Sequence, residues 1–361
     1  MKTFRNEVYS KEWIDQKRRV LGDCDPGLLE KSIYALTLLG HLAKSGLPFI
    51  FKGGTSLMLH LPEIRRLSID IDIVSPAEDP ELERAVATIG TMSPFQGQEE
   101  DDRGKRGLPQ RRHFKFYYPS PHAPNGKGVV LLDVVQESDI VHHCVTKPIR
   151  TSFLEPEEEI MVELPGIESL LGDKLTAFAP NTTGVPYRRK DGSVGEVMQV
   201  AKQLFDVGIL FEHAQDFTEV AKAYDAEQEQ EAIYRGREIS RDESLDDTFN
   251  ACLGVVATKP KHRPQGEDAN LLLDGFRKLR GHLNWLKFSE NDQRTLAART
   301  AYLASCFKNG QEVTHYEGSK EQLEKLKSAS HNGQPLSWVD GIKGINAEAY
   351  YYMFEAIQGN G

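Results

Sequence analysis

Residues 52–72 read KGGTSLMLHLPEIRRLSIDID, and the two ends of that stretch ask for different backbone. The second end, extended to LSIDIDIVS (67–75), alternates with a period of two, which predicts a half-buried strand. Side chains alternate faces along a strand, so Asp70 and Asp72 share one face while Ile69, Ile71 and Ile73 point the other way, into a core. Two carboxylates side by side repel and resist joint ionisation unless a cation neutralises them. Hard oxygen ligands of this kind suit Mg2+ or Mn2+. A pair of such ions about 3.5–4 Å apart clamps the attacking and leaving oxygens of an in-line displacement. The DxD pattern alone fits a solvated strand face equally well. Ser68, two residues before Asp70, falls on the carboxylate face, where it positions a phosphate or nucleophile or merely solvates the strand end.

At the first end, LPFIFKG (47–53) is a short apolar strand and GTSLMLHL (54–61) the opening of a helix. Gly53 and Gly54 between them allow tight backbone approach, and the free N–H groups of a helix start attract phosphate. Thr55 and Ser56 add hydroxyl donors. An ordinary glycine turn is the plainer reading of Gly53-Gly54, and the spacing is not that of a GxxxxGK[ST] phosphate loop. The combination is more telling: a glycine-hydroxyl helix start, the basic pair Arg65-Arg66, Ser68, then the two-carboxylate strand. A third carboxylate is offered by Asp133, which interrupts the apolar run GVVLLDVVQE (128–137). An acid in such a run is costly unless paired or metal-bound.

Working outward, PGLLEKSIYALTLLGHLAKS (26–45) has helical spacing behind a Pro near its start and reads as a buried helix. A further helix is expected over 80–91. HFKFYYP (113–119) and 128–137 read as strands separated by the turn PSPHAPNGKG, and EIMVELP (159–165) as another short strand. From Ile167 the pattern turns helical, over 166–179 and 196–214, and nearly everything after Phe217 keeps helical spacing. Residues 180–193 and 259–268 read as loops, and the last dozen residues as weakly attached. The expected class is α+β: a small mixed-sheet core followed by a helical C-terminal half, with domains at 1–165 and 166–361.

A chain of 361 residues is long enough for two such units. No apolar run approaches the roughly 18–20 residues that cross a bilayer, and MKTFRNEVYSKEW lacks the apolar region of a secretory signal; the cytoplasm is the expected location. Four widely spaced cysteines without a CxxC pair argue against a disulfide framework or a structural zinc site. His142-His143 beside Cys144 reads as a polar turn. The net charge of −10 opposes broad coating of nucleic acid. Against it stands RGKRGLPQRRHFK (103–115), with Arg103, Lys105, Arg106, Arg111, Arg112 and Lys115. That segment suits an RNA backbone or is a solvated loop. Arg188-Arg189-Lys190 forms a second basic cluster.

KGGTSL…RRLSIDID resembles the first motif of the AbiEii/AbiGii-type toxin nucleotidyltransferases, a branch of the polymerase-beta-like nucleotidyltransferase superfamily. Members typically carry GGT-x-L, an Arg, then S-x-D-I-D, and each element is matched in order. A second family motif, E-x-L-x-x-D-K-x-x-A, is similar to ESLLGDKLTA (168–177), with the lysine at Lys174. A third, R-D-x-Y-D-L, is approximated by KQLFDV (202–207), with the acid at Asp206 and Gln203 where an acid is commoner. The resemblance runs from about residue 50 to 210 and implies transfer of a nucleoside monophosphate from an NTP to an acceptor, releasing pyrophosphate. It implies Mg2+ or Mn2+ on Asp70 and Asp72, with Asp133 as a third ligand or as the base on the acceptor hydroxyl. Gly53, Gly54, Thr55, Ser56 and Ser68 then hold the nucleotide, and Lys174 is a point charge suited to the β- and γ-phosphates. Asp206 orients Lys174 or meets the base or acceptor. The plainer alternatives are an ion pair of Lys174 with Asp173 or Glu168, and a buried Asp–Lys pair that only organises the fold. Some relatives are toxins of toxin–antitoxin or phage-defence pairs and some modify tRNA, so a tRNA acceptor and a cognate antitoxin are the expected partners. The other readings are a protein hydroxyl as acceptor, and a non-catalytic module that binds GTP or another NTP.

Overall fold

The computed structural model describes residues 3–101, 110–137, 143–284, 287–331 and 336–359. They form two units, Met1–Gly166 with Gly281–Leu286, and Ile167–Arg280 with Lys287–Gly361. Arg103, Lys105, Arg106 and His142 lie outside the described residues.

In the first unit, α1 (Lys11–Val20) starts at Ser10, whose hydroxyl accepts the Trp13 N–H. The next helix, α2 (Pro26–Ser45), matches its expected bounds for local reasons: Asp25 caps the Leu28 N–H, Pro26 presets the first turn, and Gly46 ends it at φ +80°. Then follow β1 (Ile50–Lys52), α3 (Gly53–His60), β2 (Asp70–Ser75) and α4 (Asp79–Gly90). The strands β3 (Gly97–Glu100), β4 (Gln110–Pro119), β5 (Lys127–Gln136), β6 (Cys144–Pro148) and β7 (Met161–Pro165) complete the unit.

Five strands make one mixed sheet in the order β1-β2-β5-β4-β3, and β6 pairs with β7. Only β2 and β5 run parallel within the large sheet. One face carries Phe51, Ile71, Ile73, Leu132, Val134, Phe114 and Phe116, all buried, and α2 packs against β2 and β5. Alternation leaves Lys52, Asp70, Asp72, Asp133 and His113 on the opposite, half-buried face. Register sets the functional row: Lys52 pairs with Asp72, Asp72 with Asp133, and Asp133 with His113.

One strand of this unit is not expected from the sequence: β6 begins at Cys144, directly after the polar turn read at His142-His143, and its half-exposed residues carry no alternation to read. The basic segment is, over its described half, strand β4 and not a loop. Arg112 points inward and is buried, donating to Glu100, Asp79 and Glu83, while Lys115 pairs with Asp101 at 3.2 Å. Neither side chain is held out for a phosphate backbone.

Arg112→Met should lower stability by about 1–2 kcal/mol, less than for a fully buried pair because two of the stranded acids face water. Asp79 and Glu83 are 53% and 58% exposed. A thermal melt followed by circular dichroism would show a midpoint a few degrees lower; an unchanged midpoint would contradict this account of the cluster.

The second unit is built from α5 (Ile167–Ala177), α6 (Val197–His213), α7 (Phe217–Arg235), α8 (Arg241–Val256), α9 (Asp268–Leu279), α10 (Glu290–Asn309), α11 (Lys320–Ser328) and α12 (Ala347–Gly359). Side chains of Asp216, Ser240, Ser289 and Ser319 cap α7, α8, α10 and α11. The described part of the last dozen residues is not loosely attached: α12 buries Tyr350, Tyr352, Met353 and Ala356 and packs on α10. The helix read from the sequence as weakly attached is therefore core. In the loop after α5, Arg188 pairs with Glu267 at 2.5 Å and Arg189 with Glu196 at 2.8 Å, so both arginines of this basic cluster have acidic partners. No helix among the described residues is long and apolar enough to cross a membrane.

Candidate active site

The site begins at the turn from β1 into α3. Gly53 has φ +75°, a conformation that side-chain-bearing residues adopt only at a cost. A Cβ there would stand 1.9 Å from Asp72 Oδ2 and 2.6 Å from its Cγ. The carboxylate of β2 thus lies directly against the glycine backbone. At Gly54 a Cβ would meet an Arg66 guanidinium nitrogen at 2.6 Å and Ser68 Oγ at 3.2 Å. A carboxylate, a guanidinium and a hydroxyl therefore converge on the first turn of α3. The residue at the N-cap, Lys52, places no side-chain cap on that turn, and the N–H groups of a first helical turn have no partner within the helix.

Thr55 and Ser56 take a different part from the one expected of their hydroxyls. Both are buried; Thr55 Oγ1 donates to the Asp70 carbonyl and Ser56 Oγ to the Gly53 carbonyl at 2.7 Å. Each hydroxyl proton is committed, Thr55 pinning α3 to β2 and Ser56 closing the first turn of α3 on itself, so neither offers a second donor to a phosphate. What this turn presents is backbone N–H. Ser68 is buried beside Arg66, and its carbonyl accepts from Ser32 on α2 at 2.8 Å.

Residues 64–67 are held extended by the returning segment 281–284. Arg66 bridges Leu283, the Leu67 N–H donates to the His282 carbonyl, and Asn284 contacts both Ile64 and Arg65. This tether aims Arg66 inward, whereas Arg65 pairs with Glu63 at 2.7 Å. The sequence motif signals an arginine but does not say which of the two adjacent ones turns in.

Asp70 and Asp72 stand on one strand face, and Asp133 is the register neighbour of Asp72. Asp133 Oδ1 is 2.6 Å from His113 Nδ1, a residue that sequence reasoning did not select. Among the described residues, no three His, Cys, Asp or Glu side chains are gathered into a metal-binding group. The chemistry of the donor set nevertheless fits a hard divalent cation at Asp70 and Asp72, with Asp133 turned to His113. The arrangement brings together Gly53, Gly54, Ser68, Asp70, Asp72 and Asp133, and adds Arg66 and His113. Lys174 and Asp206 belong to the second unit. There Lys174 is buried on α5 with Nζ 3.9 Å from Asp173 Oδ2, and Asp206 is buried on the neighbouring α6.

A family model described as the nucleotidyl transferase AbiEii toxin of type IV toxin–antitoxin systems matches residues 37–291. Similar solved structures include MenT4, a nucleotidyltransferase toxin from Mycobacterium tuberculosis, at 13% identity and TM-score 0.48, covering 83% of this chain and 99% of that one. JHP933 from Helicobacter pylori is 14% identical at TM-score 0.40, covering 88% of this chain and 99% of that one. No curated protein matches the sequence.

Proposed function

Because the chain belongs to the AbiEii nucleotidyl transferase toxin family, we propose that it moves a nucleoside monophosphate from an NTP to tRNA. The reaction depends on Mg2+ or Mn2+, and the protein acts as the toxin of a toxin–antitoxin or phage-defence pair. The observation that carries the chemistry is the crowding of Asp72 against Gly53 and of Arg66 against Gly54. Cation ligands and anion-binding groups thereby share one helical turn.

The triphosphate lies on the backbone N–H groups of Gly53, Gly54 and Thr55, with the Arg66 guanidinium and Ser68 beside it. Asp70 and Asp72 hold the cation, which when bound offsets negative charge on the phosphates and the leaving pyrophosphate. The acceptor hydroxyl attacks the α-phosphorus and the bond to pyrophosphate breaks; Asp133 takes the hydroxyl proton, or, where it would serve as third ligand, the proton passes to solvent water. For Lys174 and Asp206 the family motifs imply a charge for the β- and γ-phosphates and an acid that orients it or meets the base or the acceptor. A polyanionic acceptor is supported by Arg111, exposed on β4 and on the same sheet face as Asp133. A cognate antitoxin is the partner that such a toxin requires.

Purified protein incubated with each NTP labelled at the α-phosphate, total tRNA and Mg2+ or Mn2+ should put label on RNA. Label in a protein band would move the acceptor to a protein hydroxyl. Nucleotide bound without any turnover would make the chain a non-catalytic NTP-binding module.

A further inference from the structure

The sequence motifs leave His113 unused, and the structure gives it a specific neighbour. His113 lies opposite Asp133 in the antiparallel β4–β5 pair, and its Nδ1 stands 2.6 Å from Asp133 Oδ1. A carboxylate only accepts, so with Asp133 ionised the proton of this contact sits on Nδ1. The pair is partly open to water, 24% exposed at His113 and 33% at Asp133, where such contacts add little to stability. Its geometry is more informative than its strength. Asp133 is flanked in register by Asp72 on one side and by His113 on the other. A carboxylate next to another carboxylate swings away unless something holds it.

We propose that His113 is a positioning residue: it grips one oxygen of Asp133 and fixes the orientation of the other for the cation. Strand pairing makes the grip rigid, because both residues sit within ten-residue strands at the centre of the sheet. A donor that orients a carboxylate in this way acts through that carboxylate and touches no substrate. The inference rests on the reading of Asp70, Asp72 and Asp133 given above.

The test uses the full chain and Mn2+ alone, with bound metal followed by electron paramagnetic resonance. Wild type should bind Mn2+ and Asp70→Asn should lose it. His113→Leu and His113→Ala, two independent removals of the donor, should weaken Mn2+ binding by about 10–100-fold with unchanged circular dichroism. His113→Asn should recover most of the affinity, since its amide N–H stands where Nδ1–H stood. If the leucine or alanine variant folds and binds Mn2+ like wild type, or if Asn binds as weakly as Leu, the positioning role is overturned. If wild type shows no binding that depends on Asp70, the reading of the carboxylate site fails and this inference fails with it.

Discussion

Asp70→Asn should leave the protein folded and cut nucleotidyl transfer by about a thousandfold or more. Asn keeps the shape of Asp and removes the charge that a cation needs. The cation is worth several kcal/mol of charge stabilisation, and each 1.36 kcal/mol is tenfold in rate. Asp70 is only partly buried at the start of β2 and shares its face with Asp72, so losing one of two like charges should not unfold the strand. Transfer rates measured with saturating Mn2+, alongside a thermal melt, separate the two effects. A variant with near-normal rate would remove Asp70 from the site. A variant that loses its fold would make the carboxylate structural.

Gly53→Ala should damage activity far more than stability. Alanine at φ +75° costs about 1–2 kcal/mol, which lowers the melting midpoint by a few degrees. The new Cβ would stand 1.9 Å from Asp72 Oδ2 and 2.8 Å from its Cβ, so the carboxylate is driven from its place and β2 gives by a few tenths of an ångström. A displacement of about 1 Å in a catalytic group costs on the order of 100-fold in rate. Gly126→Ala is the control. Gly126 has φ +69° with nothing within 4 Å of a Cβ, so it carries the same backbone cost without the clash. Comparable melting midpoints, with transfer lost only in Gly53→Ala, are the expected result.

Much of the first unit was legible in the sequence. Helical spacing with Pro26 and Gly46 at the ends located α2, and the alternation of LSIDIDIVS located β2 and the shared face of its two aspartates. The acid interrupting GVVLLDVVQE drew attention to Asp133, but its place beside Asp72 is a matter of strand register, and register is not a local property. The partnership of His113 with Asp133 is hidden for the same reason. The choice between Arg65 and Arg66 depends on residues 282–284, more than two hundred positions away. Thr55 and Ser56 looked like phosphate donors because their type suits that task; burial turned their hydroxyls to carbonyls instead. Arg112 misled in the opposite sense. Its neighbours in sequence are basic, while Asp79, Glu83 and Glu100 come to it from α4 and β3. The helical half was legible as helices only. Its spacing did not reveal that the Tyr-rich end of the chain, residues 350–353, is core.

The central claim is that the first turn of α3 and the carboxylates of β2 form one nucleotide-and-metal site. A crystal structure of the full chain with Mn2+ and a non-hydrolysable NTP analogue tests it directly. The account predicts an anomalous manganese peak ligated by Asp70 and Asp72, and triphosphate oxygens on the N–H groups of Gly53 and Gly54 beside Arg66. Manganese away from both aspartates, or a triphosphate bound elsewhere with the α3 turn empty, would contradict it.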